Sequence, residues 1–133
     1  RGSGMQKTRL PIVFAALALG VVSSAASAEM SVATFIAKAD ALAAKGFLAM
    51  MSPDLKLLQG EMKAAGKDWR ADIAAARARG EVPHSCPPQE SVGMKSDEIL
   101  AYFRTVPMAQ RGATSVKAAF YAMMKKRYPC PQR

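Results

Sequence analysis

The chain has 133 residues, of which 19 are lysine or arginine and 10 are acidic, so its formal net charge is +9. This length supports one modest hydrophobic core, and we expect a single folded domain rather than several. Basic chains often bind nucleic acid, but the basic residues are spread along predicted helices and follow an export signal, so we expect no nucleic-acid partner. An anionic surface outside the cytoplasm or an acidic protein partner fits better, and simple solubility is the remaining explanation.

The first 28 residues have the order of a secretory signal rather than of a folded domain. Residues 1–4 precede a start at Met5 and are interpreted as a remnant of the expression vector. A short basic region follows, then a mostly apolar run at 10–22, and then small residues at Ala26-Ser27-Ala28, where signal peptidase cleaves. Because a membrane-spanning helix needs about 20 apolar residues, we predict a cleaved signal at residues 5–28 rather than a membrane anchor.

The predicted domain therefore covers residues 29–133. Without Arg1, Lys7 and Arg9, it keeps 16 basic residues against the 10 acids, which leaves a net charge of +6. We expect it to act in the periplasm or after secretion, with no stable membrane span once the signal is cleaved.

Caps and apolar periodicity predict two helices in the N-terminal half of this domain. The first begins at Ser31, a good N-cap, and stops at Gly46. The second begins at Ser52-Pro53-Asp54, where an N-cap, a proline of the first turn and an acid near the positive end of the dipole follow one another. It ends at Gly80, and Gly66 in its interior makes a bend or break one alternative.

The C-terminal half alternates between loops and helices. Residues 81–93 contain three prolines and no apolar period, which predicts a loop. A third helix begins at Ser96 and ends at a second loop, residues 107–114. The fourth helix begins near Ser115 and ends before Pro129. No alternating apolar run or hairpin signal is present, so the predicted fold class is all-α, a small four-helix bundle closed by one disulfide.

Cys86 and Cys130 are the two cysteines of the chain. In an oxidising compartment, two cysteines in a small domain indicate a disulfide. The bond would close a loop of about 45 residues, which is worth on the order of 4 kcal/mol in the chain-entropy model. Because it joins the first loop to the end of the fourth helix, we expect the third and fourth helices to form an antiparallel pair.

The sequence contains no recognisable catalytic or metal-binding constellation. His84 is the only histidine, whereas zinc needs three or four ligands at set spacing and a cysteine nucleophile needs an oriented base. Asp97 and Glu98 suit the start of a helix better than acid–base chemistry. The pairs Met50-Met51 and Met123-Met124 lack a repeated pattern for cuprous ion, and filling a core or forming an adaptable contact surface is their commoner use. We predict no enzymatic activity, no metal and no cofactor.

Two aromatic residues have alternative interpretations. Trp69 lies on the inner stripe of the second helix and is expected in the core, with an interface anchor as the alternative. Tyr102 lies off the main stripe of the third helix, where its ring serves either a partner surface or a hydrogen bond at the edge of the bundle.

Between the two cysteines the residue types follow a definite order. A cysteine with prolines precedes a helix with an apolar and aromatic face, a proline and an arginine, and the last helix ends in aromatic-Pro-Cys. The positions are Cys86-Pro87-Pro88, Ile99, Leu100, Tyr102, Phe103, Pro107, Arg111, Val116, Ala118, Ala119 and Tyr128-Pro129-Cys130. This stretch resembles the C-terminal half of the Rap/Tai-type immunity proteins of type VI secretion systems, whereas the half upstream does not follow the family pattern.

The resemblance implies an exported, helical, disulfide-bonded immunity-like domain that binds a cognate toxic effector, often a peptidoglycan amidase, and blocks it by occlusion. The effector or another envelope protein is then the partner, and a homodimer is also implied because many members dimerise. The two loops are the expected inserting elements, and the candidate partner-binding residues are Pro87, Pro88, Tyr102, Met108, Gln110 and Arg111. A small periplasmic stress chaperone, or a helical protein of unassigned role, is the alternative.

Overall fold

A computed structural model of the chain describes Gly2 and residues 29–90 and 93–132. The predicted signal peptide at residues 5–28 lies outside the described residues, as does the predicted vector remnant apart from Gly2. The described chain forms five α-helices and one 3₁₀ helix. In chain order they are α1 (Val32–Ala44), the 3₁₀ helix (Gly46–Met51), α2 (Pro53–Ala78), α3 (Ser96–Arg104), α4 (Met108–Arg111) and α5 (Val116–Arg127).

The four longer helices begin where the sequence predicts. The hydroxyls of Ser31, Ser52 and Ser115 accept hydrogen bonds from backbone N–H groups two or three residues on, at 3.1, 3.4 and 3.0 Å. At the start of α3, the carboxylate of Glu98 accepts from the backbone N–H of Lys95 at 3.2 Å. Each of these bonds satisfies an N–H group that lacks a partner within the helix or at its cap, which fixes the point where the helix begins.

α2 is one continuous helix of 26 residues. The break considered at Gly66 is absent, because one glycine costs only about 1 kcal/mol and the buried side chains of Ala65 and Trp69 hold the helix on either side of it. Gly46 and Gly80 do have a conformational role, since their φ angles of 57° and 70° place them in the left-handed region just after α1 and α2.

The all-α fold class is confirmed for the described residues, which contain no strand and only one isolated antiparallel bridge, between Ser31 and Ser115. A four-helix bundle is not confirmed, because two short helices were not predicted. The 3₁₀ helix occupies the expected connection between the first two helices, and α4 lies within the predicted loop at 107–114. Both are too short to show an apolar period in sequence.

Two apolar clusters form the core. The first joins α1 to α3 and to the beginnings of α2 and α5, and its buried members are Val32, Phe35, Ile36, Leu42, Leu58, Phe103, Val116 and Ala119. The second lies between the later part of α2 and α5, and its buried members are Ala65, Trp69, Ile73, Phe120, Met123 and Met124. Because α2 and α5 both contribute buried residues to each cluster, these two helices connect the clusters.

The predicted disulfide between Cys86 and Cys130 is present, with the two Cα atoms 4.9 Å apart. The predicted antiparallel pair of the third and fourth helices is wrong. α5 packs most extensively against α2, whereas α3 packs mainly against α1. The bond joins two flanking segments, so it does not determine which helices share a face.

Candidate functional site

Among the described residues, the largest group of exposed apolar side chains lies on the 3₁₀ helix. Phe47, Met50 and Met51 are 84%, 79% and 85% exposed, and Leu48 is more than half exposed. Four large apolar side chains in six consecutive residues are unusual on the surface of a protein without a partner. This segment, Gly46–Met51, is therefore the first candidate for a binding surface.

The local sequence explains why these side chains face outward. Gly46 turns the chain at the end of α1, and Ser52 with Pro53 starts α2 only six residues later. A short, tight connection of this kind turns only part of its side chains inward, and Ala49 is the one that packs against the first cluster. The larger neighbours on the other sides of the helix are left in solvent.

An apolar groove lies next to the 3₁₀ helix. It is a cavity of about 370 Å³ between α1, the beginning of α2 and the approach to α3. Its lining residues are Phe35, Ala39, Leu42, Leu55, Leu58, Gln59, Met62, Met94, Ser96, Ile99 and Leu100. Leu42 precedes the 3₁₀ helix and Leu55 follows it, and both line the groove, whereas the exposed side chains of the 3₁₀ helix do not.

A second groove lies beside the disulfide, and we name it the arginine groove. It is a cavity of about 310 Å³ between the later part of α2, the segment after Cys86 and the end of α5. Its lining residues are Trp69, Arg70, Ile73, Ala74, Arg77, Pro87, Pro88, Gln89, Glu90, Met124 and Tyr128. Two of the six predicted partner-binding residues, Pro87 and Pro88, thus form part of its wall.

The segment before the disulfide is held by buried polar contacts. Trp69 donates its ring N–H to the hydroxyl of Ser85 at 3.2 Å, and Nδ1 of His84 lies 2.8 Å from the same oxygen. The backbone N–H of Cys86 donates to the carbonyl oxygen of Tyr128 at 2.8 Å. Trp69 is 5% exposed, which confirms the core position predicted for it.

The remaining predicted partner-binding residues lie elsewhere. The ring of Tyr102 is half-buried and packs against both clusters. Met108 on α4 is 81% exposed and Gln110 is exposed as well. Arg111 donates to the carbonyl oxygens of Val106 at 2.8 Å and Arg104 at 2.6 Å, so it fastens the chain at the end of α3.

The six predicted residues therefore do not meet in one place. Pro87 and Pro88 line the arginine groove, Tyr102 lies on α3, and the other three lie on α4, which packs against α1. Sequence reasoning missed the outward direction of the 3₁₀ helix and the grouping of Arg70 and Arg77 with the proline segment. The signal for the former was the run Phe47-Leu48-Ala49-Met50-Met51 between a glycine and a serine–proline helix start.

Two side-chain hydrogen bonds between helices shift pKa values. Arg104 donates to the carboxylate of Asp40 at 2.6 Å, and this hydrogen bond lowers the pKa of Asp40 and raises that of Arg104. Tyr121 donates its hydroxyl to the carboxylate of Asp72 at 2.6 Å. Burial first, and then the hydrogen bond to Asp72, raises the pKa of Tyr121. Both contacts join helices that lie far apart in sequence, so their role is to stabilise the fold.

The serine and histidine beside the disulfide do not form an accessible catalytic pair. Ser85 is fully buried, and its oxygen already contacts the Trp69 N–H and His84. A nucleophile needs an open position at which a substrate carbon can approach. This arrangement stabilises the segment and leaves no such position at the hydroxyl.

Within residues 29–90 and 93–132, no group of three or more histidine, cysteine or acidic side chains is placed to hold a metal ion. In the same part of the chain, no helix has both the length and the apolar character needed to cross a membrane. In comparisons with known proteins, no family model, no curated protein and no solved structure matches the chain. The resemblance to the Rap/Tai-type immunity proteins therefore stays a prediction.

Proposed function

We propose that residues 29–133 act outside the cytoplasm as a non-catalytic binding domain that blocks a toxic effector protein, such as a peptidoglycan amidase, by occlusion. The observation that carries the proposal is the exposure of Phe47, Met50 and Met51 on the 3₁₀ helix. A short apolar projection suits insertion into an enzyme's cleft, and aromatic and methionine side chains are enriched at the centres of protein interfaces.

The contacts around the 3₁₀ helix support this role. Its two ends are fixed by α1 and α2, and Ala49 anchors it to the first cluster. A projection held in this way loses little conformational entropy when it binds. The apolar groove beside it offers further surface to the same partner. This placement differs from the sequence-based expectation, which assigned insertion to the two loops.

The resemblance between Cys86 and Cys130 supports the immunity type of binding domain, and the disulfide fits an oxidising compartment such as the periplasm. The four longer helices are then a bundle-like scaffold that presents the projection. The choice of a toxic effector as partner comes from this resemblance, and the choice of surface comes from the exposed side chains.

The test is affinity capture with the exported, oxidised protein from envelope and secreted fractions of its own cells, followed by an inhibition assay on the captured enzyme. We expect it to retain one effector and to inhibit that effector's peptidoglycan hydrolysis. The triple variant Phe47→Ser, Met50→Ser, Met51→Ser should weaken binding by about tenfold to a hundredfold, the range for residues at the centre of an interface.

Leu57→Ser with Val82→Ser is the matched control, since both side chains are apolar and exposed but lie outside the 3₁₀ helix. The control should bind as the parent does. Equal binding by the triple variant and the parent, or a captured effector whose activity the protein does not change, would contradict the proposal.

A second candidate is the stress chaperone, which the same exposed apolar side chains favour, because they could hold unfolded chains. A chaperone suppresses the aggregation of unrelated substrates, whereas an immunity-type inhibitor does not. Dye binding and circular dichroism between pH 7 and pH 2, together with an aggregation assay, separate the two. Broad suppression of aggregation that the triple variant loses would favour the chaperone.

A further inference from the structure

We propose that the arginine groove is a separate binding site that accepts an acidic segment of a protein. The proposal goes beyond the inhibitor function above and does not depend on it. It rests on two arginines without an ionic partner among the described residues, on the aromatic surface that lines the same groove, and on the disulfide that supports the walls of the groove.

The arginines divide into two groups. Residues 29–90 and 93–132 contain six, and four of them have partners within the molecule. Arg79 pairs with Glu81 at 3.0 Å, Arg104 with Asp40 at 2.6 Å and Arg127 with Glu98 at 3.6 Å, while Arg111 binds two carbonyl oxygens.

The other two, Arg70 and Arg77, have no ion pair or side-chain hydrogen bond among the described residues, and both line the arginine groove. They lie seven residues apart on α2, which is two turns or about 10 Å along the helix. The two guanidinium groups that the fold does not use are therefore on the same wall of one cavity.

Aromatic and apolar side chains share the lining of the groove with the two charges. Trp69, Ile73, Met124 and Tyr128 line the arginine groove together with the small side chain of Ala74. The rings of Trp69 and Tyr128 stack with centroids 6.4 Å apart. A ligand in this groove therefore meets an apolar surface as well as positive charge, which suits a peptide segment better than a free inorganic anion.

The walls of the groove are fixed before any ligand binds. Pro87 follows the disulfide residue Cys86, and Tyr128 precedes Cys130 by two residues. The hydrogen bond from the Cys86 N–H to the Tyr128 carbonyl, at 2.8 Å, holds the same two segments together. Because the groove is preorganised, a ligand spends little free energy on ordering it.

Carboxylates are the ligands that match this arrangement. Arginine binds a carboxylate through two parallel N–H donors. In an extended chain, acidic residues two and four positions apart lie on one face, about 7 and 13 Å apart, and these spacings bracket the distance between the two arginines along the helix. Glu90 is the one acid at the edge of the groove, so the side chains of the lining leave one net positive charge. A concave site of about 310 Å³ admits a chain segment, whereas a flat membrane surface does not enter it.

The test is fluorescence anisotropy with a labelled ten-residue peptide of alternating glutamate and alanine, added at low salt to the exported, oxidised protein. We expect Arg70→Glu with Arg77→Glu to weaken binding by about tenfold or more, since each removes an attraction and adds a repulsion. Lys56→Glu with Lys63→Glu is the matched control. It changes the net charge equally, at the same seven-residue spacing on the same helix, outside the lining of the groove, and should weaken binding by less than about threefold.

Glu90→Gln should have the opposite effect on peptide binding, because it removes the one negative charge at the edge of the arginine groove. It should tighten peptide binding by about twofold to fivefold, the range for one exposed charge pair. A peptide with glutamine in place of glutamate should not bind, and binding should weaken as salt screens the charges.

Two results would overturn the proposal. One is equal weakening by the arginine variant and the lysine control, which would show that net charge alone attracts the peptide. The other is undiminished binding of the peptide to the arginine variant. The triple variant of the 3₁₀ helix should keep peptide binding, so failure here and failure of the inhibitor proposal are distinguishable.

Discussion

The apolar groove and the arginine groove lie against the same helix but are built in opposite ways. The beginning of α2 gives the apolar groove Leu55, Leu58 and Met62, and the later part gives the arginine groove its two charges. The first is bordered by exposed methionine and aromatic side chains on a short 3₁₀ helix. The second is bordered by a covalent bond and a buried tryptophan–serine contact.

This difference shows how one helical scaffold can offer two kinds of surface. Apolar contact tolerates adaptable side chains such as methionine, so the 3₁₀ helix needs support only at its ends and at Ala49. Paired charges must be held at a defined position to favour one ligand over another, so the arginine groove lies where the fold is most heavily cross-linked. The two regions should therefore respond differently to mutation, reduction and pH.

Removal of the disulfide should have the largest effect on stability. The loss of structure should begin at the arginine groove. The change Cys86→Ser with Cys130→Ser frees a loop of about 45 residues, and we expect it to lower the free energy of unfolding by roughly 4 kcal/mol. Urea unfolding followed by circular dichroism measures this. A loss below about 1 kcal/mol would mean that non-covalent contacts alone hold the segment.

Trp69→Phe should cost less, because it keeps an aromatic ring beside Phe120 but removes the N–H that donates to Ser85. We expect a loss of about 1–2 kcal/mol, the cost of leaving a buried polar group without its donor. Phe47→Leu on the 3₁₀ helix is the matched control and should change the unfolding free energy by less than about 0.5 kcal/mol. Similar losses at both positions would remove the distinction between the two regions.

High pH should weaken the region around α5 and α2 by a smaller amount. Because the pKa of Tyr121 is raised in the folded state, its contribution is fully present below the unfolded value near 10 and is lost as pH rises through the folded value. Unfolding free energies at pH 8 and pH 11 should differ more for the parent than for Tyr121→Phe, by about 1 kcal/mol. The same difference in both proteins would assign the pH dependence to other groups.

The triple change Phe47→Ser, Met50→Ser, Met51→Ser should have the smallest effect on stability for each residue that is substituted. All three side chains are largely in solvent, so we expect an unfolding free energy within about 0.5 kcal/mol of the parent for each change. Differential scanning calorimetry provides the measurement. A loss of several kcal/mol would show that the 3₁₀ helix is part of the core and not a free surface.

The sequence predicts the helix starts of this fold well because each is decided by neighbouring residues. Ser31, Ser52 and Ser115 each accept a bond from an N–H two or three residues away, and such contacts need no knowledge of the rest of the molecule. The disulfide was also predictable, since two cysteines allow one pairing.

The sequence does not predict features that depend on how distant segments meet. The pairing of α5 with α2 follows from the second cluster, whose members lie on both helices, and the cysteine spacing gives no indication of it. The run at Phe47–Met51 is apolar whether it faces the core or solvent, so only the folded chain reveals its direction. Arg70 and Arg77 become a pair with a shared cavity only when Pro87 and Tyr128 are brought beside them.

We propose that the 3₁₀ helix is the partner-binding surface, while the region of the disulfide maintains the fold. Amide hydrogen exchange of the oxidised protein, with and without a captured effector, is the measurement that decides this. We expect effector binding to increase protection in residues 46–51 and in the adjoining ends of α1 and α2. Protection that increases elsewhere and stays unchanged in residues 46–51 would contradict it.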